Sequence, residues 1–400
     1  LVKGLSGTGL QRLIDLAQRT GLPDNFLWPL WGCNLRPLRD LELNSHFGNG
    51  RILPYPLWNR VVDPYSISTT VSLERILNDV KYVLQEEIKT LTYDSIHNFL
   101  RFYVASQGKD NIDAAWRAYS PTYSRLYHTC VGLTKSLRDS LRILDQSHNG
   151  LLDAMFFASS EENVIYVEDY VRDAPDKHRV EKEHIVLCLK FTLGHRKGYV
   201  VMDPGYHLAI PVVVMEDQQY PHTGVFYLDN HGGKQKQYEY KCHPDNPEYI
   251  VWNVSILRNG EVAQTHDTLL YVGREFVNPL SYTEKRNIAF SQKNWVKRDS
   301  GGNVIAGAYT TTDEDKPYIT VFTQVDGSRN STRIPLTSFS LSCELLEYRD
   351  VLSDCASLMK VDVVIFTSKL RLLAKALTDE AFVTWLRITE EKILVVAENN

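Results

Sequence analysis

The chain has 400 residues, of which 43% are apolar and 23% charged, with 44 Lys and Arg against 49 Asp and Glu for a net charge of −5. This is enough apolar material for a sizeable core, in one large domain or two to three small ones. There is no block of Lys and Arg of the kind non-specific nucleic-acid binding needs, and no apolar run reaches the ~20 residues of a membrane-spanning helix.

Residues 1–20 have a helical spacing, with Leu5, Leu10, Leu13, Ile14 and Leu16 apolar. Residues 22–68 are rich in Pro, Gly, Asn and Trp and are expected to form an ordered, irregular wrap. Its aromatics Phe26, Trp28, Trp31, Tyr55 and Trp58 would serve as packing anchors. A helix starts at Ser72, with Leu73, Ile76, Leu77, Val80, Val83 and Leu84 on one face. A second is expected near 93–103, carrying Ile96, Phe99, Leu100 and Phe102. A third covers roughly 130–144, with Leu133, Leu137, Leu141 and Leu144 in a stripe, and stops near Asn149-Gly150.

After residue 163 the pattern changes to strands, at 163–171, 184–192, 198–203, 208–215, 225–230, 249–258, 268–272, 304–310, 317–325 and 332–342, punctuated by Gly, Pro, Asn and Asp. Helices return near 345–359 and 367–387, before an apolar strand at Ile393–Ala397. The expected class is α+β. A helical N-terminal part would carry the helix beginning at Cys130, followed by a mostly antiparallel sheet or barrel and a C-terminal α/β part. The expected units are 1–69, 70–215, 216–345 and 346–400.

The six cysteines, Cys33, Cys130, Cys188, Cys242, Cys343 and Cys355, form no C-x-x-C pair. Their spacing therefore supports neither a zinc site nor a disulfide scaffold. We read a reducing compartment and a cytoplasmic location, alongside two glycosylation tripeptides at Asn253 and Asn330.

Three residues carry the functional reading. Cys130 opens a helix, His184 begins the apolar run His184-Ile185-Val186-Leu187, and Asp203 ends Gly198-Tyr199-Val200-Val201-Met202-Asp203 before Pro204-Gly205. A free thiol, with a pKa near ~8.5, is mostly protonated at neutral pH; a helix N-terminus favours its thiolate. A histidine can take the thiol proton, and a carboxylate on its other nitrogen fixes the tautomer. His184 and Asp203 fall on strands joined by a short hairpin around Gly194–Gly198, which brings them together cheaply. His128, His207 and Trp116 are the candidate substrate-binding residues; for Trp116 a packing role competes with walling an acyl tunnel. Cys188 alternates onto the face of His184 and reads as core. No glycine-rich nucleotide or phosphate loop is present.

This order, a Cys at a helix start, a His on a strand and an Asp before a Pro-Gly turn, resembles the transglutaminase-like superfamily over about residues 90–215. Within it, the arylamine N-acetyltransferases share a helical first part, a β-rich second part and an α/β third part, and Tyr271-Val272-Gly273-Arg274-Glu275-Phe276 with Asn287 loosely resembles one of their later segments. The Arg-Gly-Gly that precedes their cysteine is replaced here by Leu126-Tyr127-His128-Thr129, and Gly132 stands where they have Glu. The resemblance implies acyl transfer through a thioester on Cys130, with His184 as base and then acid and Asp203 orienting it. It implies acyl-CoA as a co-substrate rather than a bound cofactor, and a small amine or a protein side chain as acceptor. An inactive binding or scaffold protein of the same fold, and a cysteine amidase or peptidase, are the alternatives. Oligomeric state is not legible.

Overall fold

The computed structural model describes residues 52–124, 127–172, 182–230, 234–310, 317–325, 327–340 and 344–397. The helix expected at 1–20, the anchors Phe26, Trp28 and Trp31, and Cys33 and Cys343 lie outside them.

Two sheets form the frame. The larger is a curled, mainly antiparallel sheet built from β1 (Tyr65–Ile67), β4 (Met155–Val164), β5 (His184–Leu193), β6 (Arg196–Met202), β7 (Val212–Met215), β8 (Phe226–Asn230), β9 (Lys234–Cys242), β10 (Tyr249–Arg258) and β11 (Glu261–Tyr271). Its order is β7-β6-β5-β4-β11-β10-β9-β8, with β1 alongside β5 in parallel. The smaller combines β2 (Thr92–Asp94) and β3 (Tyr127–His128) with β12 (Lys293–Arg298), β13 (Val304–Thr310), β14 (Tyr318–Val325) and β15 (Ser328–Pro335), in the order β15-β14-β13-β12-β2-β3. Each sheet therefore joins strands from distant parts of the chain.

The helices fill the space around these sheets. Helix α1 (Thr70–Thr90) is capped by Thr69, whose side chain accepts from Ser72 N, and it buries Leu73, Ile76, Val80, Leu84 and Ile88 at helical spacing. Two short helices follow β2, α2 (Ile96–Ser106) and α3 (Ile112–Ala118). Helix α4 (Cys130–Ser140) continues as a 3-10 turn over Leu141–Gln146, and Leu133, Leu137, Leu141 and Leu144 of the expected stripe are all buried. Completely buried leucines such as Leu137 and Leu141 each contribute about 1.5–3 kcal/mol.

Period-two alternation along β5 divides the core. Leu187, Leu189 and Phe191 pack with α1 and α4 on one face. Val186 and Cys188 pack with Trp252, Tyr240 and β7 on the other, so Cys188 is a core residue. After α5 (Val167–Arg172) and α6 (Lys285–Ala289), the chain closes with α7 (Arg349–Met359), α8 (Val363–Thr378) and α9 (Glu380–Ala397).

Several expected elements are corrected. The strand placed at 163–171 is the end of β4 and then α5, and the strand placed at Ile393–Ala397 is the last part of α9. The C-terminal segment is therefore helical where it is described, not α/β. A short apolar run has the same composition in a strand as in a buried helix, and here Ile393 packs into the cluster that holds Phe382, Trp385 and Leu386. The helix placed at 93–103 starts at Ile96, because Tyr93 belongs to β2.

Candidate active site

Helix α4 begins at Cys130. Thr129 caps it in an extended conformation, its hydroxyl accepting from Val131 N at 3.3 Å and donating to Glu284 Oε2. Glu284 ends a buried π-helical turn, Leu280–Glu284, and also accepts from Asn98 Nδ2 at 2.6 Å. Burial raises its carboxyl above the ordinary range, against the hydrogen bonds from Asn98 and Thr129. The start of α4 is thus tied to α2 and to the segment that leads into α6.

His184 is the first residue of β5, level with Ser160 of β4. Strands β5 and β6 form a hairpin closed by Gly194 and His195, with Gly194 at φ 62°. Following that register past Met202 sets Gly205 opposite His184 and Asp203 just beyond the strand end. The two Asp203 carboxylate oxygens lie 3.0 and 2.9 Å from His184 Nε2. Oδ1 also accepts from Tyr206 N at 2.9 Å, and Asp203 is completely buried. Tyr206 stands edge-on against the imidazole, with ring centroids 4.6 Å apart.

With Nε2 turned to Asp203, Nδ1 is the ring nitrogen left for the Cys130 thiol, which lies beside His184 across Gly205 and within electrostatic range of the imidazole. Burial alone would depress this imidazole. The Asp203 carboxylate, the Cys130 sulfur and the hydrogen bond to Asp203 outweigh burial and hold its pKa well above the ordinary histidine value. The site is tight: a Cβ on Gly205 would come within 2.7 Å of Cys130 Cβ and 2.6 Å of His184 Cε1.

One further group reaches the sulfur, and a second lines the cavity with it. Asn287 of α6 donates from Nδ2 to Cys130 Sγ at 3.8 Å. Tyr93 of β2 is half-buried and lines the cavity with Cys130; its hydroxyl is pushed well up first by desolvation and then by Cys130, so the phenol keeps its proton. Lys293, buried at the start of β12, holds this region by donating to the carbonyls of Asn287, Ile288 and Phe290. Burial lowers its ammonium to about 7.

These residues open onto a cavity of about 800 Å³, lined also by Glu162, Glu183, Tyr206, His207, Lys236, Tyr238, Arg286 and Arg298. Among the residues named from the sequence, Cys130, His184 and Asp203 are brought together, and His207 lines the cavity with the first two. His128 and Trp116 do not line it. His128 folds over α4, where a Cβ on Gly132 would meet its Nδ1 at 2.4 Å. Trp116 is core: its indole N–H donates to Ile52 O at 2.9 Å, and its ring packs on Phe102, on Trp385 and under Lys285. Helix α3 directs it into the helical core, which is why an aromatic near the cysteine in sequence is remote from the cavity. Tyr93, Arg286 and Arg298 were missed. No local signal marks them, although Asn287 fell inside the segment quoted for its resemblance.

No family model and no curated protein matches this chain. Among solved structures it is similar to the arylamine N-acetyltransferase from Mycobacterium abscessus, with a TM-score of 0.39 and 10% identity over 74% of this chain and 88% of that one. It is also similar to the Mycobacterium marinum arylamine N-acetyltransferase in complex with CoA, with a TM-score of 0.33 and 10% identity over 76% of this chain and 98% of that one.

Proposed function

We propose that this protein is a thiol acyltransferase in which Cys130 is acylated and the acyl group then passes to an amine or to water. The observation that carries the reading is the buried Asp203–His184 hydrogen bond with Cys130, the first residue of α4, beside the imidazole across Gly205 and lining a large cavity with it. His184, with its raised pKa, takes the proton from the thiol as base. The thiolate attacks the acyl carbonyl, the bond to the leaving group breaks, and His184 returns its proton to that group. His184 then takes a proton from the acceptor as it attacks the thioester, and Cys130 is released.

The developing oxyanion needs donors. The Asn287 amide and the protonated Tyr93 phenol are the side-chain candidates, together with backbone N–H groups at the start of α4; one such donor is typically worth ~3 kcal/mol. The donor would be a thioester or a carboxamide. An acyl-CoA is the thioester to screen first, because the sequence resemblance implies it.

Alkylation with iodoacetamide between about pH 5 and 9, resolved for each cysteine by mass spectrometry, tests the reading. Cys130 is expected to label near pH ~6 and to lose that reactivity in His184→Ala. Burial pushes Cys188 well up and both Cys242 and Cys355 to about 12, so these three supply the unreactive background. Labelling of Cys130 only above about pH 8 would refute the assignment.

A further inference from the structure

The cavity holds a second set of groups that acyl transfer at Cys130 does not use. Lys236 and Tyr238 alternate on β9 and line it together, and Arg298, the last residue of β12, lines it from the other sheet. Arg298 Nη1 donates to Gly302 O at 2.8 Å, while its Nε is buried with no hydrogen-bond partner among the described residues. A buried donor without an acceptor is destabilising, and a charged one more so.

Asp299 acts on Arg298 through its charge, but the hydrogen bonds of the nearby carboxylates go elsewhere. Asp299 accepts from Gly301 N, Asn303 N and Asn303 Nδ2, which folds the 299–303 turn onto itself. Glu183 takes Arg286 Nη2 at 3.3 Å, and Arg286 stacks on Phe290 with its guanidinium 3.4 Å from the ring centroid. Glu162 accepts the Tyr206 hydroxyl and is the carboxylate within electrostatic range of Lys236. Lys236 and Arg298 thus face one cavity carboxylate, with no acceptor on the Arg298 Nε.

This cationic pair is joined to the candidate active site. Gly302, at φ 83°, lies so close to His207 that a Cβ would stand 2.3 Å from the His207 carbonyl oxygen. The His207 imidazole is depressed first by burial and then by the charges of Arg298 and His184, so it lies in the field of both. Burial also lowers Arg298, to about 10, a cost that an anion at this position would offset.

We propose that Lys236 and Arg298 form an anion subsite in this cavity, which takes the carboxylate or phosphate of a substrate whose acyl group or acceptor nitrogen reaches Cys130. The substrate class is then an anionic acyl donor or acceptor, held by the Arg298 fork and the Lys236 ammonium. The location of the subsite rests on the residues above; its role in catalysis rests on the acyl-transfer reading.

The test is an NMR titration of the full chain, labelled with ¹⁵N-arginine, that follows the Nε–H resonance identified as Arg298 by its loss in Arg298→Lys. The probes are inorganic phosphate, propionate and, as the neutral control, propionamide. Saturable shifts with phosphate or propionate but not propionamide, weakened by about tenfold or more in Lys236→Gln, are expected. The tighter anion identifies the group as a phosphate or a carboxylate. No saturable shift with either anion, or equal affinity in Lys236→Gln, would overturn the proposal. The same titration in Cys130→Ala should be unchanged. Anion binding without low-pH alkylation of Cys130 would leave the subsite standing and remove the acyl-transfer reading; alkylation without anion binding would do the reverse.

Discussion

Gly205 stands against Cys130 so closely that a single added methyl group would lie 2.7 Å from the cysteine Cβ. The absence of a side chain at this position is what lets the start of α4 dock on the hairpin that carries His184 and Asp203. Gly205→Ala should push Cys130 and His184 apart while leaving both sheets intact. We expect an overpacking cost of about 1–3 kcal/mol by urea denaturation. Low-pH alkylation of Cys130 should fall far more than that cost explains, and an unchanged pH profile would show that the close approach is not needed.

The roles of the three central residues separate in kinetics. Cys130→Ala should abolish turnover and the acylated intermediate with the fold retained. Asp203→Asn keeps the shape but offers an amide to His184 Nε2, and we expect a loss in kcat on the order of 10⁴. Retained turnover in Cys130→Ala would eliminate the thiol mechanism.

Asn287→Ala and Tyr93→Phe test the oxyanion donors. Each should lower kcat by about 10²–10³ with little change in KM, because the interaction forms mainly in the transition state. A rise in KM at constant kcat would instead assign them to substrate binding.

His184 also links stability to pH. Its folded pKa is raised well above the 6.5 of an unfolded histidine, so between these values the folded state binds the extra proton. The stabilisation is fully present below about 6.5 and is lost as pH rises through the folded value. In a Cys130→Ala background, where no thiol supplies that proton, urea unfolding with and without His184→Ala across this window should show a stability difference that shrinks with rising pH. A constant difference would mean that no net proton uptake accompanies folding at this residue.

A second buried ion pair holds the C-terminal helices to the smaller sheet. Lys369 of α8 pairs with Asp94 of β2, and both are almost completely buried. Asp94 Oδ1 also accepts from Ile96 N and His97 N at the start of α2. Lys369→Met leaves that carboxylate buried without its cation and should cost about 3–5 kcal/mol, read by chemical denaturation. A loss under about 1 kcal/mol would show that the α2 backbone alone satisfies Asp94.

What the sequence alone determined follows from local physics. The leucine stripe from Leu133 to Leu144 requires a helix, and the hairpin between His184 and Asp203 is short enough that its register follows from alternation and turn chemistry. The neighbourhood of these residues was therefore readable from spacing. Strand β12 was not: Lys293-Asn294-Trp295-Val296-Lys297-Arg298 looks solvated, yet Lys293 and Lys297 are buried because their ammonium groups bind backbone carbonyls, in the case of Lys297 those of Thr90 and Leu91. Only the tertiary structure decided that Asn287 and Gly205 converge on Cys130, that Tyr93 lines the same cavity, that Trp116 turns into the helical core, and that Lys236 and Arg298 share that cavity. Each of these contacts joins segments that no local periodicity relates, so it depends on how the two sheets pack and not on any single stretch of chain.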